Sequence, residues 1–123
     1  MSVRWLMIMM TAWLVGALPS AATPPQFLIT IENGAPYFLP VAATVATGTS
    51  IRWDNPTATH HTITHDGCAS GDSCAFDSGN MAPNESYALP SLPPGHYPYF
   101  CRVHPIMRGV LTVTEPTVAP AET

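Results

Sequence analysis

The C-terminal half of the sequence carries a cysteine, a histidine and a methionine at three-residue intervals. Cys101, His104 and Met107 lie in the run Cys-Arg-Val-His-Pro-Ile-Met. One tight loop can direct a thiolate, an imidazole and a thioether with this spacing toward a common point. A cysteine sulfur, two histidine nitrogens and a weak axial methionine are the ligands of a type 1, or blue, copper centre. The loop therefore predicts a mononuclear copper site that needs one more histidine.

His61 is the predicted second imidazole ligand. It begins the segment His-Thr-Ile-Thr-His, whose β-branched residues favour a strand. Ile63 is the natural core residue of this strand, so alternation directs His61 inward and His60 outward. His65 shares the parity of His61 but stands roughly 13 Å further along an extended chain. We therefore expect His61 to be the ligand, and a register error of one residue toward His60 is the alternative.

The first 22 residues have the composition of a secretory signal. Arg4 precedes an apolar run from Leu6 to Leu18, and small residues precede a cleavage site after Ala22. The apolar run is shorter than the roughly 20 residues that cross a bilayer, which disfavours the alternative of a retained membrane anchor. We predict an exported protein, periplasmic or otherwise extracytoplasmic, with no membrane span after cleavage.

The three cysteines divide into a pair and a single residue. Cys68 and Cys74 are six positions apart in a loop of Gly, Ser and Asp, and an oxidising compartment favours a disulfide between them over two free thiols. This pairing leaves Cys101 alone. An odd cysteine in a secreted protein requires an explanation, such as an intermolecular bridge, a nucleophile or a metal bond.

The composition favours one domain of short strands. Charged residues are only 10% of the chain, while 14 prolines and 8 glycines supply many turns. We predict an all-β, Greek-key sandwich or barrel of seven or eight strands in residues 23–115, followed by a flexible tail at 116–123. In chain order, the predicted strands are Phe27–Ile31, Tyr37–Val45 with an interruption at Pro40, Ser50–Asn55, His61–His65, a short stretch around Phe76, Glu85–Leu89, Gly95–Cys101 and Gly109–Thr114.

The net charge argues against nucleic acid as a partner. Removal of residues 1–22 leaves three arginines against eight acidic residues, a net charge of about −5 with neutral histidines. Such a surface repels a phosphate backbone.

Several segments, in this order, resemble the plastocyanin-like cupredoxins, and the short ligand loop with proline after its histidine is most similar to that of the amicyanins. These segments are Trp53-Asp54-Asn55, His61-Thr62-Ile63-Thr64, Phe76-Asp77-Ser78-Gly79, Pro94 to Cys101 and His104 to Gly109. The resemblance implies one type 1 copper ion, bound by His61, Cys101 and His104 with Met107 as a long axial ligand. One departure concerns second-sphere hydrogen bonding, because Thr62 stands where many cupredoxins have asparagine.

The resemblance also implies a function and its partners. Family members pass single electrons between a donor and an acceptor protein, through transient contacts at an apolar patch around the exposed histidine ligand. The matching patch residues are Ala82, Pro83, Pro105 and Ile106. We expect a monomeric electron-transfer protein that is not an enzyme. The alternatives are a copper chaperone or scavenger with the same ligands, and a cysteine hydrolase, which needs an orienting Asn or Asp and a substrate cleft.

Overall fold

The computed structural model describes residue 16 and residues 25–34 and 36–116 of the 123-residue chain. Within these residues the elements are β1 (Gln26–Glu32), β2 (Tyr37–Leu39), β3 (Ala42–Ala46), β4 (Ser50–Asp54), β5 (Thr64–His65), α1 (Asp66–Ser70), β6 (Ser86–Leu89), β7 (Gly95–Phe100) and β8 (Arg108–Thr114). The predicted signal at 1–22 and the predicted tail lie outside the described residues, apart from residues 16 and 116.

The strands form two four-stranded sheets, which confirms the predicted all-β sandwich. One sheet has the order β2-β1-β4-β6, and the other has the order β3-β8-β7-β5. The pairs β1–β4 and β3–β8 are parallel, and the remaining pairs are antiparallel. Alternate residues of both sheets are buried, as in β4, where Ile51 and Trp53 are fully buried between less buried neighbours. The core therefore lies between the two sheets.

The segment predicted as one interrupted strand, Tyr37–Val45, is two strands in different sheets. β2 pairs with β1 at an edge of the first sheet, and β3 pairs with β8 at an edge of the second. Pro40 lies between them, and a proline cannot donate to a strand ladder. Phe38 before the crossing and Ala43 after it are both buried, so the chain changes sheets while it continues to cover the same core.

The segment predicted as the strand His61–His65 is a regular strand only at its end. β5 pairs with β7 through Thr64 and His65, while His61 forms an isolated bridge with Met81. Residues 61–64 are all buried, because residues 77–81 lie alongside them and exchange backbone hydrogen bonds with them. The expected alternation between an inner and an outer face is therefore absent here.

The cysteine loop contains a short helix where the sequence predicted irregular structure. α1 ends at Gly71, whose φ of 85° is the left-handed conformation that glycine adopts readily. Cys68 and Cys74 form a disulfide, as predicted, and Cys101 is a buried free thiol. No helix in the described ranges is long and apolar enough to cross a membrane.

A cluster of aromatic rings fills the core beneath the end of β7. Tyr99 is fully buried and packs edge to face on Phe38 and Trp53, with ring centroids 4.8 and 5.6 Å apart. Gly109 is the cross-strand neighbour of Tyr99 in β8. A Cβ atom at this glycine would overlap the Tyr99 ring. The missing side chain therefore makes room for the aromatic ring two residues before Cys101.

We expect Gly109→Ala to destabilise the fold by about 1–3 kcal/mol, because the added Cβ would overlap the Tyr99 ring, which already packs on Phe38 and Trp53. Urea unfolding of the metal-free protein measures this change. Thr44→Ala, at an exposed position of the same sheet, is the control and should shift the free energy of unfolding by less than about 0.5 kcal/mol. Equal stability of Gly109→Ala and the unchanged protein would contradict the packing described above.

Candidate metal centre

The predicted ligand loop is the closed end of a β-hairpin. Cys101 follows β7 directly and Met107 precedes β8 directly, and the last strand pair before the loop is Phe100 with Arg108. The Cys101 N–H donates to the Met107 carbonyl at 3.0 Å, and the Met107 N–H donates to the His104 carbonyl at 2.8 Å. These bonds hold the loop in the tight form that its spacing predicts.

The structure brings His61 to this loop from the neighbouring segment. The distance from Cys101 Sγ is 3.8 Å to His61 Nδ1 and 3.9 Å to His104 Nδ1. One donor atom from each of the three residues lies within 4.8 Å of the other two. Cys101 and His61 are buried, whereas His104 is partly exposed. Three of the four predicted ligands therefore converge on one point.

The donor set and its spacing fit a copper ion. Bonds from a central ion to such sulfur and nitrogen donors are roughly 2.0–2.3 Å long, which places trigonal donors roughly 3.5–4.0 Å apart. The two measured sulfur–nitrogen distances fall in this range. A thiolate with two imidazoles suits copper in both of its common oxidation states.

The fourth predicted ligand and the remaining histidines have distinct surroundings. Met107 is 2% exposed within the same loop. His60 is exposed and contacts Asn80, and His65 Nδ1 accepts a hydrogen bond from a backbone N–H of the cysteine loop. His96 contacts Thr112 on the exposed side of β8. None of these three histidines belongs to the cluster around Cys101.

Burial lowers the pKa of His61 below its ordinary value, and the neighbouring His104 and His60 lower it further. A neutral imidazole has a free nitrogen lone pair, whereas a protonated one has none. The position of His61 therefore keeps it able to bind a metal at a lower pH than an exposed histidine.

Thr62 connects the two segments that carry the converging side chains. Its N–H donates to Cys101 Sγ at 3.3 Å, and its hydroxyl accepts a hydrogen bond from the Arg102 N–H at 2.8 Å. The hydroxyl thus links the two loops at the position where many cupredoxins have asparagine. Two bonds from one residue fix the sulfur and the backbone that follows it.

The Thr62 hydroxyl is also the start of a chain of hydrogen bonds that ends at the surface. It lies 2.9 Å from the Thr64 hydroxyl, which donates to Asp77 Oδ1 at 3.1 Å. Asp77 Oδ2 accepts from the Arg102 guanidinium at 3.1 Å, which closes a ring. Burial raises the pKa of Asp77, but hydrogen bonds from Gly79, Arg102 and Thr64 outweigh burial and hold the pKa below its usual value. The carboxylate therefore stays charged and acts as an acceptor.

The neighbours of His104 in the loop, Val103 and Pro105, are apolar and exposed, and Arg102 is an exposed charged residue of the same loop. Ile106 is 91% exposed and Pro105 is also exposed, while Ala82 and Pro83 are partly buried. Val103, which sequence reasoning did not include, is 51% exposed in the same loop. Its position in the sequence between Cys101 and His104 was the signal that could have added Val103 to the predicted patch.

Sequence reasoning also missed three polar residues before His61. Thr57 and Thr59 lie against Nε2 of the His61 ring, and Asn55 contacts the Thr57 hydroxyl. Asn55 and Thr57 are buried. Thr57 precedes His61 by four residues in an irregular segment, so no periodic pattern marks it.

Residues 5–113 match the family model of the cupredoxin-like domain. The chain belongs to this family. It is 30% identical over 93 residues to chloroplastic plastocyanin from Tetradesmus obliquus, with 72% of this chain and 64% of the relative covered. It is 28% identical over 94 residues to amicyanin from Paracoccus versutus, with coverages of 76% and 70%. The chain thus spans somewhat less than two thirds of the plastocyanin's length.

Solved structures agree with this assignment. A purple cupredoxin from Nitrosopumilus maritimus matches with a TM-score of 0.60 at 24% identity, over 71% of this chain and 98% of its own. The crystal structure of amicyanin from Paracoccus versutus matches with a TM-score of 0.60 at 26% identity, over 80% and 86% of the two chains. The predicted resemblance is confirmed, and so is copper as the cofactor, because cupredoxin homologues bind one copper ion and this chain has the matching cluster.

We expect Thr62→Val to destabilise the metal-free protein by about 1–2 kcal/mol, because the Arg102 N–H and the Thr64 hydroxyl each lose a partner. Copper release to a chelator should be roughly tenfold faster, since the cysteine loop is less firmly held. Chemical unfolding and a stopped-flow chelator assay measure the two effects.

Thr112→Val is the matched control for this substitution. It removes a threonine hydroxyl that contacts His96, far along β8 from the ligand loop. It should change neither the stability by more than about 0.5 kcal/mol nor the release rate. The loop connection would be refuted if the two variants behaved alike.

Proposed function

We propose that this cupredoxin binds one type 1 copper ion through Cys101, His61 and His104, with Met107 as a long axial ligand, and passes single electrons between protein partners. The observation that carries the proposal is the convergence of one buried thiol and two imidazole nitrogens within 4.8 Å. Bound copper supplies the chemistry by alternating between its Cu(I) and Cu(II) states.

The protein's contribution is to hold the ligands still. Cys101 is fixed by the hairpin closure and by the Thr62 N–H, and His61 is held by its backbone bonds to Met81. A soft sulfur suits Cu(I), while imidazole nitrogens also suit Cu(II). A site that accommodates both states with little movement allows rapid electron transfer.

The unequal exposure of the two histidines supports a path for electrons through His104. His61 is 1% exposed, whereas His104 is partly exposed and stands between the exposed apolar residues Val103 and Pro105 of the loop. The proposed docking patch consists of Ala82, Pro83, Pro105 and Ile106, and Val103 extends it. A small apolar patch suits transient contacts with a donor and an acceptor, each of which must dissociate after one transfer.

Export and the absence of catalysis are part of the proposal. The predicted signal at residues 1–22 and the Cys68–Cys74 disulfide support an oxidising, extracytoplasmic location such as the periplasm. A hydrolase would need its cysteine to reach a substrate, and Cys101 is 0% exposed. This burial supports a role in electron transfer over hydrolysis, and the proposed protein is a monomer.

The purified chain loaded with copper should show an intense sulfur-to-copper charge-transfer band that bleaches on reduction and returns on oxidation. Cys101→Ser should abolish the band, and His61→Ala should abolish it while His60→Ala leaves it. Met107→Leu should leave the band and raise the reduction potential, because the axial ligand tunes the potential. Absorption spectroscopy and voltammetry provide these measurements, and a copper-loaded chain without the band would rule out a type 1 site.

Ile106→Lys should slow electron self-exchange between reduced and oxidised copies by about tenfold, roughly 1.4 kcal/mol in activation free energy. The added charge must be desolvated when two patches meet. NMR line broadening in mixtures of the two redox states measures the rate.

Leu28→Lys adds the same charge at another exposed apolar position, in β1, and should leave the exchange rate within about twofold. Equal rates in both variants would exclude the patch as the exchange surface. A scavenger or chaperone would bind copper but exchange electrons slowly even without substitution.

A further inference from the structure

We propose that Asn55 and Thr57 form a hydrogen-bond relay that fixes the tautomer and orientation of the His61 imidazole, so that they are positioning residues for the metal centre. The relay rests on the ligand role proposed for His61. The three side chains are buried, with exposures of 0%, 4% and 1%. The fixed partners of these three side chains determine which atom donates and which accepts in each hydrogen bond.

The relay begins with the Asn55 amide, whose orientation is determined by its neighbours. Its NH₂ group faces three backbone carbonyl oxygens, those of Thr59 at 2.9 Å, Met81 at 3.3 Å and Ala82 at 3.2 Å. Its oxygen faces the Thr57 N–H at 3.1 Å. The flipped amide would place oxygen against three carbonyls and NH₂ against an N–H. Asn55 Oδ1 is therefore an acceptor.

The direction of the Thr57 hydroxyl follows from the Asn55 amide. Thr57 Oγ1 lies 2.6 Å from Asn55 Oδ1, which can only accept, so the hydroxyl donates its single hydrogen there. The next-nearest acceptor is the Thr59 carbonyl at 3.2 Å, which also requires the hydrogen. The Thr57 oxygen can therefore only accept a hydrogen bond from His61.

The His61 ring must then place its hydrogen on the outer nitrogen. Nε2 lies 3.0 Å from Thr57 Oγ1 and 2.9 Å from Thr59 Oγ1. A neutral imidazole carries one N–H, so a hydrogen on Nε2 leaves Nδ1 bare. Nδ1 is the atom that faces Cys101 Sγ at 3.8 Å. The relay thus prepares the lone pair at the position where the metal ligands converge, before any metal binds.

The two threonines differ in what they impose on His61. The Thr59 side chain is exposed, and its hydroxyl is free to donate or accept. The Thr57 hydroxyl is buried and already committed to Asn55. The tautomer of His61 therefore depends on the Thr57 hydroxyl, whereas the Thr59 hydroxyl can adapt to either tautomer.

The test reads the tautomer directly in the metal-free chain. At pH 8.5, two-bond ¹H–¹⁵N correlation spectra of ¹⁵N-histidine protein should show His61 with its hydrogen on Nε2. Thr57→Val should raise the minor tautomer at least fivefold, whereas Thr57→Ser, which keeps the hydroxyl, should restore the original pattern. Thr59→Val is the matched control and should leave the tautomer unchanged. A chelator assay on the copper-loaded variants should show release about tenfold faster for Thr57→Val alone.

Several results would overturn the relay. These are a hydrogen on Nδ1 in the unchanged protein, a tautomer shift in Thr59→Val but not in Thr57→Val, or no shift and no faster release in Thr57→Val. If Thr57→Val does not fold, the unchanged protein, Thr57→Ser and Thr59→Val still decide the matter. The tautomer needs no copper, so a missing charge-transfer band would refute the proposed function alone. A band that survives His61→Ala would refute the ligand role of His61 and, with it, the positioning role of the relay, while the tautomer result would stand.

Discussion

Hydrogen bonds of Thr62 to the Cys101 sulfur and to the Arg102 N–H tie the segment of Cys101 to that of His61, and the geometry of the candidate site depends on that tie. A buried polar group is costly unless it has hydrogen-bond partners. The Thr62 N–H supplies one to the sulfur, and the Thr62 hydroxyl holds the backbone just after it. Because β5 and β7 are neighbours in one sheet, the tie connects segments that the strand ladder already brings together. The pairing of β5 with β7 brings the two segments close together, and the hydrogen bonds of Thr62 then fix the position of the sulfur.

The aromatic core beneath the end of β7 limits the movement of the segment that carries Cys101. Tyr99 enters the aromatic cluster two residues before Cys101, and Gly109 leaves it room on the opposite strand. Close-packed interiors resist changes in volume, so the end of β7 cannot shift without displacing several rings. The ligand loop is thus a short hairpin on a rigid base. Such a base would suit the electron-transfer centre proposed for this chain.

The two histidines of the cluster differ in their surroundings, and this difference underlies the different roles proposed for them. His61 is enclosed, and its outer nitrogen meets the hydroxyl of a buried threonine. His104 is partly exposed beside Ile106, which is 91% exposed. The enclosed side is rich in hydrogen bonds, while the neighbours of His104 in the loop, Val103 and Pro105, are apolar and exposed. This contrast is what the proposed division between a fixed interior and a contact surface rests on.

Local patterns were sufficient to predict the ligand loop, the disulfide and the strand content. The residues of the loop are close in sequence, so their spacing restricts where their side chains can meet. The sequence also predicted that His61 lies near this loop, and the structure places it there. The alternation argument was incomplete, since residues 61–64 are all buried and residues 77–81 lie alongside them. The crossing at Pro40 and helix α1 were likewise not predicted. Only the tertiary structure decided which groups meet Cys101 Sγ, because Thr62 and His61 reach it across sequence separations of 39 and 40 residues. Contacts at such separations depend on how the sheets pair and pack, and no local pattern records that information.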